Sequence, residues 1–256
     1  MEAMILAAGA GSRLRPLTDE LPKALVEVGG RPLLAWVMER LVEAGARRII
    51  VNTHHFHDLI RAYLETHAPP GVEVVLSPEP DGPYDTGGGL FGAAHLFRSS
   101  QPFLLHNVDV MSTIPLQAVL EEHMRESLLT DRRVVASLAV QERDAERRLL
   151  FDDVGLMGWE NRGSDRAPVG RQEVREPVGP VRPLSFTGIH AVDPSIFRLG
   201  RRAGTFSIVD LYLELAARGW VIHAVDVSEA EWIDIGTPQR LQEARRRYPP
   251  SSTPNT

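Results

Sequence analysis

Apolar positions along the chain fall into two alternating patterns. Short, mostly apolar runs at Met4–Ala8, Arg48–Asn52, Val72–Leu76 and Pro102–Leu105 read as strands. Between them, Pro32–Ala44 carries Leu33, Leu34, Val37, Leu41 and Val42 with Glu39, Arg40 and Glu43 interposed, the spacing of an amphipathic helix that Gly45 can end. His57–Thr66, Leu90–Phe97 and Ile114–Leu129 read as further helices, and Arg133–Val140 as another strand. Repeated strand–helix units of this kind predict an α/β fold around a mainly parallel sheet.

From about Asp144 the pattern changes. Leu149–Asp152 and Val154–Trp159 read as a hairpin pair, and Glu160–Pro183, rich in Arg, Gly and Pro, as a loop or irregular excursion. Ser185–Val192 is again strand-like, Ile208–Arg218 helical, Val221–Val225 extended and Pro238–Arg247 a closing helix. The reading is one domain over residues 1–248, followed by a disordered tail at 249–256.

Composition narrows the function. The 28 basic and 34 acidic residues leave a net charge of −6. That is the wrong sign for a protein that holds nucleic acid by neutralising phosphates, and an anionic small substrate must meet a local basic cluster. With no cysteine, disulfides, thiolate zinc sites and cysteine nucleophiles are excluded together. No apolar run approaches 18 residues and the N-terminus lacks a secretory pattern, so no membrane segment is expected and the cytoplasm is the expected location. Of the 28 basic residues only Lys23 is lysine. In a chain that uses arginine wherever it can, the compact ammonium at position 23 points to a place where a planar fork will not serve.

The strongest chemical signal is Leu6-Ala7-Ala8-Gly9-Ala10-Gly11-Ser12-Arg13-Leu14, followed by Pro16-Leu17-Thr18 and Pro22-Lys23-Ala24-Leu25. A strand ending in glycines exposes backbone N–H groups and admits a phosphate or base close to the main chain, with Arg13 and Lys23 supplying charge. It is neither a dinucleotide fingerprint, since Leu14 stands where the third glycine belongs, nor a P-loop, since no glycine precedes Lys23. A bare Gly-x-Gly, taken alone, favours a glycine turn with solvent-facing arginines.

Together with four later segments, this run resembles the sugar-phosphate nucleotidyltransferases. In order these are Asp85-Thr86-Gly87-Gly88-Gly89, Asn107-Val108-Asp109, Phe186-Thr187-Gly188-Ile189-His190 and Trp232-Ile233-Asp234-Ile235-Gly236-Thr237-Pro238. The resemblance spans roughly residues 3–246. Within the family, the short length and the Asn52-Thr53-His54-His55 strand end are most similar to the N-acetylmuramate-1-phosphate uridylyltransferases and the mannose-1-phosphate guanylyltransferase-like proteins.

The resemblance implies a Rossmann-like, GT-A-like nucleotide-diphospho-sugar transferase fold, with a mixed, mostly parallel sheet between helices and the site at the strands' carboxyl ends. It implies an enzyme that joins a sugar 1-phosphate to a nucleoside triphosphate with release of pyrophosphate, dependent on Mg²⁺. Arg13 and Lys23 are then the catalytic cations, and Asp109 and Asp234 the metal ligands. Ala8, Gly9, Gly11, Ser12, Thr86, Gly87 and Asn107 become nucleotide contacts, and Glu176, Thr187 and Gly188 sugar contacts. Asp85 stands where several relatives carry glycine, which leaves the base open. Many longer relatives carry Glu-Lys-Pro where this chain has Arg175-Glu176-Pro177, so Arg175 or Arg182 is expected to take over the charge role.

Competing readings exist at each position. Asp109 could cap the next helix, and Asp234 could be a helix N-cap, although Thr237-Pro238 offers a better helix start. The fold would also suit a phosphocholine cytidylyltransferase, which needs an aromatic cage, or a non-catalytic nucleotide-sugar-binding regulatory subunit. His54, His55 and His57 read as structural, because neighbours on a strand point to opposite faces. Arg245–Arg247 reads as a solvated helix end, and Trp159, Trp220 and Trp232 as core or rim.

Overall fold

Alternation along one strand sets up the whole molecule. In the computed structural model, which describes residues 1–129, 134–163, 169–200 and 203–250, β1 (Glu2–Leu6) is buried along its length. Its Ala3 and Ile5 join one apolar cluster and its Met4 and Leu6 another, so the strand carries core on both faces.

The remaining strands are β2 (Glu27–Val28), β3 (Arg31–Pro32), β4 (Arg48–Thr53), β5 (Glu73–Pro78), β6 (Phe103–Asn107) and β7 (Val110–Ser112), followed by β8 (Val134–Gln141), β9 (Arg147–Phe151), β10 (Leu156–Asn161), β11 (Gly170–Glu173), β12 (Arg182–Val192), β13 (Val221–Asp226) and β14 (Trp232–Asp234). The helices are α1 (Leu33–Glu43), α2 (His57–His67), α3 (Asp85–Gly92), α4 (Leu116–Leu129), α5 (Ile196–Leu199), α6 (Ile208–Ala217) and α7 (Pro238–Arg247).

The central sheet runs β5-β4-β1-β6-β12-β8-β13. The pairs β4–β5, β1–β4, β1–β6 and β8–β13 are parallel, and only β12 runs against its neighbours. This is the mixed, mostly parallel α/β sheet expected from the sequence. Apolar residues of α1, α2 and α4 cover one face, and those of α3, α5 and α6 the other. A third cluster joins Leu14, Val26, Val28 and Leu33 to Met111, Ile233, Ile235 and to Leu241 and Ala244 of α7.

Because β12 is antiparallel to β6 and their pairing begins at Ile189, residues 182–187 project past the carboxyl end of β6. There they pair with β9, which continues into β10 and β11. The reading of Glu160–Pro183 as irregular is therefore corrected in part. Gly170–Glu173 is a strand, seated where Gly158 of β10 lets the Gln172 carbonyl approach to 2.3 Å of the site a Cβ would occupy. Helix α3 also begins earlier than the apolar pattern suggests, at Asp85, because its glycine run is packed rather than exposed. Of the tail expected at 249–256, residues 251–256 lie outside the described residues. No described helix is long and apolar enough to cross a membrane.

Candidate active site

At the carboxyl end of β1 the main chain is pinned by polar side chains from neighbouring elements. The Asn52 Oδ1 accepts from the Ala7 N–H at 2.6 Å, and its Nδ2 donates to Glu79 Oε1 at 2.7 Å. The other Glu79 oxygen accepts from the Tyr84 N–H at 2.7 Å, and Glu79 is only 3% exposed. One buried carboxylate thus ties the β1 end, the β4 end and the start of α3 together. Between these elements lies a cleft of about 180 Å³, lined by Ala8, Gly9, Lys23, Asp85, Thr86, Asn107 and Asp109 among others.

Gly9 is open around its Cα, whereas Gly11 has φ +63° and lies where a Cβ would be 3.0 Å from Thr18 Cγ2 and 3.3 Å from Lys23 Cβ. Gly11 therefore permits a left-handed turn that brings Lys23 under the strand end. Ser12, in the short 3₁₀ turn Ser12–Leu14, is exposed and does not line this cleft. Thr86 lines it, while its hydroxyl accepts from the Ile208 N–H at 2.9 Å. Gly87 does not: it is buried, its N–H donates to the Phe206 carbonyl, and a Cβ there would lie 2.4 Å from the Phe206 ring. Gly87 is a packing glycine beside Thr86.

The two aspartates meet through a pairing that joins distant parts of the chain. β7 and β14 are antiparallel with Asp234 opposite Val110, and the Ile235 N–H donates to the Asp109 carbonyl at 2.8 Å. Neither residue caps a helix; Thr237 caps α7, accepting from the Arg240 N–H, with Pro238 in the first turn. Asp109 Oδ2 takes the Lys23 ammonium, whose side chain is 10% exposed. Asp234 Oδ2 takes Arg240 at 2.5 Å, and its Oδ1 accepts from the Gly236 N–H at 3.0 Å. Two hard carboxylates on adjacent backbones, each balanced by a cation, form a donor set that suits Mg²⁺.

Beyond this pair opens a second cleft of about 790 Å³, lined by Arg13, Arg143, Arg147 and Arg240 with Asp144, Glu146 and Asp234. Arg13 lies over Gly236, where a Cβ would come within 2.8 Å of its guanidinium. Lys23 and Arg13 therefore face the aspartates from different clefts. Gly188, with φ +83°, abuts Asn107, whose amide nitrogen would be 2.7 Å from a Cβ there. Thr187 is buried with its hydroxyl donated to the Ala139 carbonyl, so it offers backbone rather than side chain; its carbonyl accepts from Trp232 Nε1 at 2.8 Å. Trp232 is accordingly part of the site's frame, and Arg143 lies 3.7 Å over its ring.

Other expectations are corrected. Arg175 is held bidentately by Asp152 at 2.6 and 2.7 Å and also donates to the Leu156 and Gly155 carbonyls, so it is a structural residue. Burial works to raise the Asp152 carboxyl, but Arg175 and three backbone N–H groups bring it well below the usual carboxylate range. Arg182 pairs with Glu142 and Asp226, and Glu176 is exposed and lines neither cleft. The His54 and His55 rings stack at 5.4 Å rather than opposing each other, because the strand ends at Thr53. Their neighbour His57 bonds Thr53 Oγ1 and His54 the Glu79 carbonyl, which is structural. Glu79 and Arg143 were not singled out from the sequence; only the strand end at Asn52 hinted at the first.

The chain is similar to known proteins along most of its length. Residues 2–147 match the family described as nucleotidyl transferase. The chain is 32% identical to N-acetylmuramate alpha-1-phosphate uridylyltransferase of Caulobacter vibrioides, over 96% of each chain. It is 33% identical to the enzyme of the same name from Neisseria meningitidis serogroup B, over 96% of this chain and 97% of the other. Among solved structures, UDP-glucose pyrophosphorylase from Acinetobacter baumanii superimposes with a TM-score of 0.75 at 18% identity, covering 96% of this chain and 92% of that one, which is a likeness of fold. With a family match over more than half the chain and relatives 32–33% identical over nearly its whole length, this chain belongs to the nucleotidyl transferase family.

Proposed function

We propose that the chain transfers a nucleotidyl group from a nucleoside triphosphate to a sugar 1-phosphate, with uridylyl transfer to N-acetylmuramate 1-phosphate as the first pair to test. The carrying observation is the β7–β14 pairing, which sets Asp234 next to Asp109 along the backbone, with Asp109 paired to Lys23 in one cleft and Asp234 lining the other. The relatives' names supply the candidate substrates.

A phosphate oxygen of the sugar 1-phosphate attacks the α-phosphorus as the bond to the bridging oxygen breaks and pyrophosphate leaves. The second pKa of such a phosphate is about 6, so the nucleophile is already anionic at neutral pH and no general base is required. What remains for the protein is positioning and charge neutralisation. Ala8, Gly9, Thr86 and Asn107 border the nucleotide cleft, while Lys23 and Arg13 carry the charge that phosphates need. Asp109 and Asp234 would hold Mg²⁺, which, when bound, neutralises phosphate oxygens. Arg143 places a cation over the Trp232 face, which disfavours a quaternary ammonium there and hence the phosphocholine alternative. Pyrophosphate release from a panel of nucleoside triphosphates and sugar 1-phosphates with Mg²⁺ tests the reading. Release with at least one sugar 1-phosphate is expected, and its absence with all of them would return the chain to a binding role.

A further inference from the structure

The second cleft holds a cation that the reaction as described does not use. Arg143 follows β8, its guanidinium carbon 3.7 Å from the centre of the Trp232 ring, and Trp232 is itself fixed by the bond from its Nε1 to the Thr187 carbonyl. One Arg143 nitrogen donates to the Phe186 carbonyl at 3.2 Å. Its Nε is buried without a partner, and among the described residues no carboxylate pairs with Arg143 within 4 Å. The nearest charges work against each other, Arg240 opposing the guanidinium and Asp234 favouring it; burial is the larger influence, and the net effect is to pull its pKa below the usual value. Of the other arginines lining this cleft, Arg240 is paired with Asp234, and Arg13 and Arg147 are exposed to solvent, whereas Arg143 is partly buried. A desolvated cation without a counterion, held rigid on a ring, is an expensive arrangement unless an anion completes it.

The position says which substrate brings that anion. Residues from the first 110 positions line the nucleotide cleft, whereas Arg143 lines the second cleft with its chain neighbours up to Arg147 and with Asp234, Thr237 and Arg240, Arg13 being the one residue there from the first 110 positions. Resting on the nucleotidyl-transfer reading above, we propose that Arg143 is a specificity-determining residue that binds a negatively charged group of the sugar substrate, either its 1-phosphate or a carboxylate on the sugar. A planar fork with free N–H donors suits both groups.

The test measures KM and kcat for wild type, Arg143→Gln and Arg143→Lys with two acceptors that differ in one acidic substituent, N-acetylmuramate 1-phosphate and N-acetylglucosamine 1-phosphate, at saturating UTP and Mg²⁺. Loss of one charged contact should raise the acceptor KM about 10- to 100-fold in Arg143→Gln, with kcat and the UTP KM little changed. A rise with both acceptors assigns Arg143 to the 1-phosphate, and a rise with the muramate alone assigns it to the carboxylate. Arg143→Lys, which keeps charge but not the fork, should recover part of the loss. An unchanged KM for both acceptors, or a UTP KM that rises as much as the acceptor KM, overturns the proposal and leaves Arg143 a packing residue on Trp232. If wild type turns over no sugar 1-phosphate of the panel with any nucleoside triphosphate, it is the nucleotidyl-transfer reading that fails.

Discussion

Replacing Glu79 should damage both stability and nucleotide binding, although nothing places it in contact with the reacting atoms. Its two oxygens accept separately from Asn52 Nδ2 and the Tyr84 N–H, each at 2.7 Å, at a position 3% exposed. A buried donor left without an acceptor costs about 1–3 kcal/mol. In Glu79→Gln one oxygen becomes an amide NH₂ facing a donor, so one such loss is expected; in Glu79→Ala both bonds go and a cavity opens, for a total of about 3–5 kcal/mol. For a chain of this size that corresponds to a fall in Tm of about 6–20 °C for the alanine variant, with glutamine intermediate. Because Asn52 also fixes the Ala7 N–H beside Gly9, and Tyr84 leads directly into Asp85 and Thr86, the nucleotide wall should loosen while the second cleft stays intact. The assay is thermal unfolding of the three proteins together with steady-state kinetics at a temperature where all are folded. The expected result is a higher nucleotide KM with an unchanged sugar-phosphate KM. If Glu79→Ala unfolds within a degree of wild type, the argument from buried donors is wrong.

Three further outcomes follow from the same geometry. Lys23→Ala should lower turnover about 10²-fold or more, and Lys23→Arg should also be impaired, since the wide fork must fit beside Gly11 and Asp109; a fully active arginine variant would show that the ammonium is not special. Asp109→Asn and Asp234→Asn should each raise the Mg²⁺ concentration for half-maximal rate, and the double variant should lose much less than the product of the two, whereas strict multiplicativity would mean separate jobs. Burial holds His106 and His123 at a pKa of about 4 and His190 at about 3, below the ordinary value near 6.5. The unfolded chain therefore binds protons first: stability is complete above pH ~6.5 and falls as pH drops towards ~4, by about 1 kcal/mol per imidazole per pH unit. A Tm that stays level between pH 7.5 and pH 5 would contradict this.

How much of this could be read in advance depended on whether a residue's role is local. Strand and helix spans recur within a few positions because apolar period is a local property: Pro238–Arg247 is helical at the predicted bounds, and Thr237 caps it as its side chain and the following proline require. Lys23 and the two aspartates could be grouped in advance because five ordered motifs gave them a shared context. The surroundings of Glu176 were not legible, for the opposite reason. Its neighbour Arg175 is captured by Asp152, and nothing between residues 174 and 183 encodes that capture.

Arg143 shows the same limit from the other side. In sequence it is one arginine among 27, next to Asp144 and close to Glu146, with every sign of a solvated charge. Its burial and its lack of a counterion arise because β12 bends past β6 and β14 returns beside β7, delivering Phe186 and Trp232 to its flanks. The pairing of β14 with β7 is thus a shared cause: it sets Asp234 beside Asp109 and, one residue before Ile233, places the ring that carries Arg143. A change that disturbs this two-stranded ladder should therefore affect the aspartate pair and the arginine together, whereas a change at Arg143 should leave the aspartates in place.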